Sequence, residues 1–158
     1  MTERPILFMD SMVRAIMGGR KTVTRRVGPT WARVKPGDRL WVREAHCSGD
    51  MGLVRPGACV YRADYIDPPH GPWRPSIHMP RSVCRLLLDV VSVTEQVVQA
   101  WGPGEPGSAW AIRLPDVDDA EALREGFASR DAFIRAWQSM HPNYAGPVWR
   151  IEFARVTP

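Results

Sequence analysis

A helical stripe that halts at two consecutive glycines and gives way at once to a strand pattern limits this chain more than any other feature. Met12, Val13, Ile16 and Met17 share one helical face, with Asp10 or Ser11 placed to cap its start. Gly18 and Gly19 end it, because glycine takes the left-handed conformation at a helix C-terminus without a steric penalty. Thr22 to Val27 then alternates β-branched and basic residues, which predicts a strand. Ile6-Leu7-Phe8 ahead of the helix can begin a sheet.

The same alternation recurs downstream. The turn Lys35-Pro36-Gly37-Asp38 leads into Arg39 to Glu44, where Leu40 and Val42 oppose Trp41 and Arg43. Further strands are expected at 58–62, 85–94 and 148–153. Two helices fall between the last two: Asp118 with Glu121 makes a capping-box-like opening for one that Gly126 ends, and Phe133, Ala136, Trp137 and Met140 stripe the other. That stripe reads as core. Five or six short strands with interspersed short helices predict an α+β fold built on a small mixed barrel.

Length and composition set the remaining bounds. At 158 residues one core is expected, so residues 1–158 are read as a single domain. No window approaches the roughly 18 apolar residues that cross a bilayer, so no membrane partner is expected. Met1 to Pro5 lacks a secretory apolar stretch, and Cys47, Cys59 and Cys84 read as separate reduced thiols, which together suggest a cytoplasmic protein. A net charge of +4 favours an anionic partner, with nucleic acid or nucleotide as the leading candidate. The Pro/Gly-rich stretches 67–75 and 102–107 read as surface loops.

Chemistry concentrates in Gly19-Arg20-Lys21-Thr22-Val23-Thr24-Arg25-Arg26. Lys21 and Lys35 are the only lysines among 21 Lys and Arg residues, so Lys21 stands where arginine is the default. An ammonium can surrender its proton when neighbours depress its pKa, and a guanidinium effectively cannot. Lys21 is either a functional amine or the opening of a strand. Arg25-Arg26 is either a phosphate binder or a solvated charge beside a buried partner for an acid. Glu125 meets the negative end of a helix dipole at a cost of about 0.3–1 kcal/mol, which fits a solvated surface acid or a residue held there for function.

Four features in order carry a resemblance: the amphipathic helix running into GRKTVTRR, the segment KPGDRLWVRE, the short helix ending Ala122-Leu123-Arg124-Glu125-Gly126, and the final strand VWRIEF. Together they resemble the ASCH-domain family of the PUA-like superfamily, including its longer phage- and prophage-associated members, which also carry a loop similar to residues 73–81. The resemblance covers nearly the whole chain and marks residues 45–82 as an insertion relative to small bacterial relatives. It implies a compact PUA-like barrel with flanking helices and a cleft suited to a nucleotide or RNA. In small bacterial relatives with amidohydrolase activity, a Thr-Lys-Glu triad removes the acetyl group of N(4)-acetylcytidine. Motif by motif, that triad falls on Thr24, Lys21 and Glu125.

The residues themselves allow such chemistry. Thr24 can attack an amide carbonyl once a neutral Lys21 accepts its proton, with Glu125 orienting the amine or returning a proton to the leaving amine. Arg20, Arg25 and Arg26 depress the Lys21 pKa by like-charge repulsion, and burial adds to that. No metal or other cofactor is required. In a regular strand, residues three apart point to opposite faces, so Lys21 and Thr24 meet only if the helix exit bends the chain at Gly18-Gly19. Thr22 is the reserve nucleophile and Glu44 the reserve acid.

Arg26, Glu44, Tyr61, Trp73, Ser76, His78 and Arg81 are the candidate substrate-binding residues. Trp73, Ser76, His78 and Arg81 form a Pro-braced loop that either closes over a base and its phosphate or sugar, or serves structure alone. Tyr61 is either a cleft residue or a strand aromatic. His46, Cys47, Cys84 and His78 lack zinc-site spacing. His70 and His141 are expected to be exposed. The expected function is hydrolysis of an acylated cytidine by a monomer, the substrate being a nucleoside or a modified nucleic acid. An RNA-binding module or single-strand ribonuclease is the alternative, and a non-enzymatic phage accessory protein the third class.

Overall fold

The computed structural model describes residues 1–49, 55–100, 112–113 and 117–156. The stretch 102–107 lies outside the described residues. Among the described residues, eight strands and three α-helices run in the order β1 (Glu3–Leu7), α1 (Asp10–Met17), β2 (Val23–Val27), β3 (Arg39–Arg43), β4 (His46–Ser48), β5 (Cys59–Tyr61), β6 (Leu87–Ala100), β7 (Ile112–Arg113), α2 (Asp119–Arg124), α3 (Arg130–Met140) and β8 (Gly146–Arg155).

The main sheet has the order β1-β3-β6-β8-β2, with β7 paired to β6, while β4 and β5 form a separate two-stranded sheet. β1 and β3 are parallel, and the other pairings are antiparallel. No ladder joins β2 to β1 among the described residues, so the sheet is an open mixed sheet and not the closed barrel expected. Helix α1 carries the chain from one edge to the other. Between those edges Arg26 Nη2 donates to the Leu7 carbonyl at 2.7 Å.

Side-chain alternation splits the interior in two. Ile6, Val13, Ile16, Leu40, Val42, Leu88, Ile151 and Phe153 cluster under α1, and Val98, Val117, Ala122, Phe133, Trp137 and Val148 cluster under α2 and α3. Val148 and Ile151 are three apart on β8 and go to opposite clusters, as a period of two requires. Leu40 and Val42 are fully buried while Trp41 and Arg43 are half-buried, as their alternation predicts.

Local signals were partly overridden. Met9, not Asp10 or Ser11, is the N-cap of α1, and no side chain caps it. The Asp10 carboxylate pairs instead with Arg62 at 3.4 Å. For α2, Asp118 caps as expected, accepting from the Glu121 N–H at 2.8 Å. Residues 45–82 supply β4, β5 and short 3₁₀ turns at Arg62–Asp64, Ser76–His78 and Arg81–Val83. They are tied to the sheet by Met79, which is 1% exposed, and by Arg43 donating to the Met79 and Ile77 carbonyls.

Candidate active site

The exit from α1 determines where Lys21 goes. Gly19 adopts φ +74, and the N–H groups of Arg20 and Lys21 both donate to the Ala15 carbonyl, at 2.9 and 3.0 Å. The chain therefore doubles back on the last helical turn before it becomes a strand. The ladder with β8 begins only at Val23, which leaves Lys21 outside the alternation that would set it opposite Thr24. Lys21 and Thr24 line one cleft.

Glu125 arrives from the other side. It directly follows α2, and the Thr22 N–H donates to the Arg124 carbonyl at 2.8 Å, which fixes that helix end beside β2. Gly126 then takes φ +93 in a tight place: a Cβ would lie 3.0 Å from Met12 Sδ and 3.4 Å from Lys21 Cδ, so those side chains would have to give way. The close approach of this glycine lets the Glu125 carbonyl and carboxylate both reach the Lys21 amine.

Lys21 is 3% exposed and Glu125 2%. Lys21 Nζ donates to the Val23 carbonyl at 2.7 Å, to the Glu125 carbonyl at 2.6 Å and to Glu125 Oε2 at 3.2 Å. All three ammonium donors are occupied, and no hydrogen bond links Nζ to the Thr24 hydroxyl. Arg25 Nη1 donates to Glu125 Oε1 at 2.8 Å and Arg25 Nε to Gln96 Oε1 at 3.0 Å. Arg25 Nη2 lies 3.1 Å from Glu121 Oε1, an ion pair too poorly aligned for a hydrogen bond. Glu125 thus sits between two cations, which offsets its unfavourable place at a helix C-terminus.

Burial pulls the Lys21 ammonium below the ordinary lysine range. Glu125 opposes that shift through charge and hydrogen bond, and the charges of Arg26 and Arg25 reinforce it. Burial likewise pulls Arg26 down to about 10, with Glu125 pushing back. The guanidinium of Arg26 lies over Phe8, 4.8 Å from its centroid, and over Trp31 at 5.6 Å.

The cleft encloses about 230 Å³. Lys21, Thr24, Arg25, Arg26 and Glu125 form its polar wall, and Phe8, Trp31, Phe133, Trp137, Met140 and His141 its aromatic and apolar walls. Arg26 is the one predicted substrate-binding residue that joins the proposed triad here.

The other six lie elsewhere. Glu44 is fully buried, but both its oxygens are taken at 2.9 Å by Arg85 Nε and Nη2. Arg85 stacks 3.9 Å from the Tyr61 ring centroid and also pairs with Asp64. The Tyr61 hydroxyl donates to the Val83 carbonyl, and burial first of all raises its pKa to about 12. Trp73 donates to the Pro69 carbonyl at 2.9 Å and lines a separate hollow of about 300 Å³ with Cys47, Val60, Tyr65 and His70. Ser76 is half-buried, His78 is exposed, and exposed Arg81 pairs with Glu3 at 3.0 Å. Thr22, the reserve nucleophile, accepts from Arg124 Nε at 3.2 Å. Among the described residues no group of three His, Cys, Asp or Glu side chains is placed to hold a metal.

His141 departs from expectation. It is half-buried, lines the cleft, and stacks 4.5 Å from the Trp137 ring, because it continues the α3 stripe one turn beyond Trp137. The i, i+4 spacing of Trp137 and His141 was visible in the sequence. Reading the stripe as core was half complete: Phe133 and Trp137 are buried and also wall the cleft.

No protein-family model, curated protein or solved structure matches this chain.

Proposed function

We propose that the chain is an ASCH-type amidohydrolase that removes an acyl group from the exocyclic amine of N(4)-acetylcytidine or a related acylated cytidine. The observation that carries this reading is a buried lysine with a depressed pKa, a threonine hydroxyl and a carboxylate lining one small cleft with aromatic walls. A flat base suits those walls, and about 230 Å³ is below the roughly 300–1,000 Å³ of pockets for drug-sized ligands. A base with its acyl group fits that scale better than several nucleotides. The Arg26 bridge across the gap between β1 and β2 is also what a partly opened PUA-like barrel would need.

In this mechanism the Thr24 hydroxyl oxygen bonds to the acyl carbon as its proton passes to neutral Lys21. The tetrahedral oxyanion collapses, the C–N bond breaks, and the cytidine amine leaves with a proton from Lys21. Water then attacks the threonyl ester, again through Lys21, and releases the acid. Glu125 positions the amine throughout, and Arg25, held by Glu125 and Gln96 at the same cleft, is a fixed cation for the oxyanion. Lys21 must release one of its three acceptors to reach Thr24, and substrate that excludes water from the cleft favours the neutral amine that this requires.

A second reading has its own observation. An ammonium with all three donors satisfied is also what a purely structural lysine looks like, and it would leave the cleft as a binding site for RNA bases. Incubation with a panel of acylated cytidines, followed by chromatography, separates the two. Release of cytidine without added metal is expected. No turnover of any member, with salt-sensitive RNA binding in its place, would transfer the case to the second reading.

A further inference from the structure

We infer that the cleft takes a phosphate-bearing ligand, with Arg26 as the anchor for the anion, so that the preferred form of the substrate is a nucleotide or a nucleotide unit of a strand and not a neutral nucleoside. The inference rests on the proposed cytidine reading for the base, while the anion site depends on the charges that line the cleft.

Three cations and one carboxylate line the cleft among the described residues. Glu125 is shared by Lys21 and Arg25. Arg26 has no carboxylate partner among the described residues; its only protein acceptor there is the Leu7 carbonyl. Phe8 and Trp31 lie against the guanidinium and offer its N–H edge no oxygen. That edge is incomplete, because Arg26 Nε is buried with nothing to donate to.

Trp137 points the same way. Its side chain is 1% exposed and lines the cleft, yet Nε1 has no acceptor. A buried N–H left without an acceptor forfeits the hydrogen bond it makes to water in the unfolded chain. Among the described cleft-lining residues the buried polar atoms without a hydrogen bond are Arg26 Nε, Trp137 Nε1 and Arg25 Nη2, the last ion-paired with Glu121, and all are donors. A ligand that satisfies them brings acceptor oxygens, and one that balances Arg26 brings negative charge. Phosphate supplies both, and arginine meets it with parallel N–H groups. Burial, which lowers the Arg26 pKa, is relieved by the same counter-charge.

The test is equilibrium binding, which does not depend on turnover. Cytidine, cytidine 5′-monophosphate, inorganic phosphate and a short cytidine-containing single-stranded RNA are titrated into wild type, Arg26→Gln and Arg26→Lys. The monophosphate is expected to bind roughly tenfold more tightly than cytidine. Arg26→Gln should bring that ratio to about one, and Arg26→Lys should restore part of it. Tighter binding of the strand than of the monophosphate would identify polymer as the source of the phosphate, and the reverse ranking a free nucleotide. Equal affinity for cytidine and its monophosphate in wild type would overturn the inference and leave the hydrolase reading standing. Phosphate-dependent binding indifferent to the base would keep the anion anchor and remove the cytidine reading. A ratio unchanged in a folded Arg26→Gln protein would also overturn the inference.

Discussion

Two buried acids divide this molecule. Glu44 and Glu125 are both within 2% of complete burial, each ends or follows a secondary-structure element, and each holds arginine. Around Glu44 the account closes: one guanidinium takes both oxygens, Tyr61 covers that guanidinium, and Asp64 takes what remains. Around Glu125 it does not close. One oxygen goes to Arg25 and the other to a lysine whose burial works against its charge, and the adjoining cleft holds donors with no acceptor. Burial of a charge therefore says little about function, whereas a buried charge beside unmet hydrogen-bonding capacity and open volume says a good deal.

The comparison breaks most sharply by removing the amine. Lys21→Met keeps the length and apolar stem of the side chain, and it should lower the rate of acylcytidine hydrolysis by about a thousandfold in steady-state assays, within the range of general-base catalysis. Glu44→Gln should do the reverse. It leaves Arg85 underpaired and is expected to cost about 3 kcal/mol in denaturant unfolding, with the activity of the folded fraction unchanged. Loss of activity in Glu44→Gln at full stability would erase the distinction between the two acids.

Gly126→Ala sharpens the comparison at the backbone. At φ +93, with Met12 Sδ 3.0 Å and Lys21 Cδ 3.4 Å from the added carbon, the substitution should cost about 1–3 kcal/mol and, by displacing Lys21, slow hydrolysis roughly tenfold. Its sequence role as a helix stop was legible from the Asp118-to-Gly126 pattern. Its approach to α1 was not, because that contact joins segments more than a hundred residues apart. That Lys21, Thr24 and Glu125 belong together was legible from their motifs, since all three line one cleft, and the strand and helix periods placed nearly every element of the main sheet. β4 escaped notice because three residues, His46 to Ser48, are too short and polar to show a period. The loop residues Trp73, Ser76, His78 and Arg81 have the chemistry of a binding site, but nothing in their order reveals that Arg81 is held by Glu3 on β1.

The smallest effects are in pH dependence, and the two acids' neighbourhoods give them opposite signs. Lys21 titrates below its unfolded value, so between those two pKa values the unfolded chain binds more protons and stability rises with pH, up to about 10.4. Burial raises the Glu44 pKa despite Arg85, so between the ordinary glutamate pKa and that raised value stability falls as pH rises. Unfolding followed across both windows should lose the alkaline slope in Lys21→Met and the acidic one in Glu44→Gln. The hydrolysis rate should climb with the neutral Lys21 fraction and level off below the usual lysine range.

Transfer of the acyl group to the threonine oxygen is the event on which the whole assignment depends. Wild type and Thr24→Val, mixed in excess over N(4)-acetylcytidine and quenched rapidly, can be read by peptide mass spectrometry. An acetyl group on the peptide containing Thr24 in wild type, with neither adduct nor cytidine from Thr24→Val, is the predicted result. Cytidine released at the wild-type rate by Thr24→Val would contradict it.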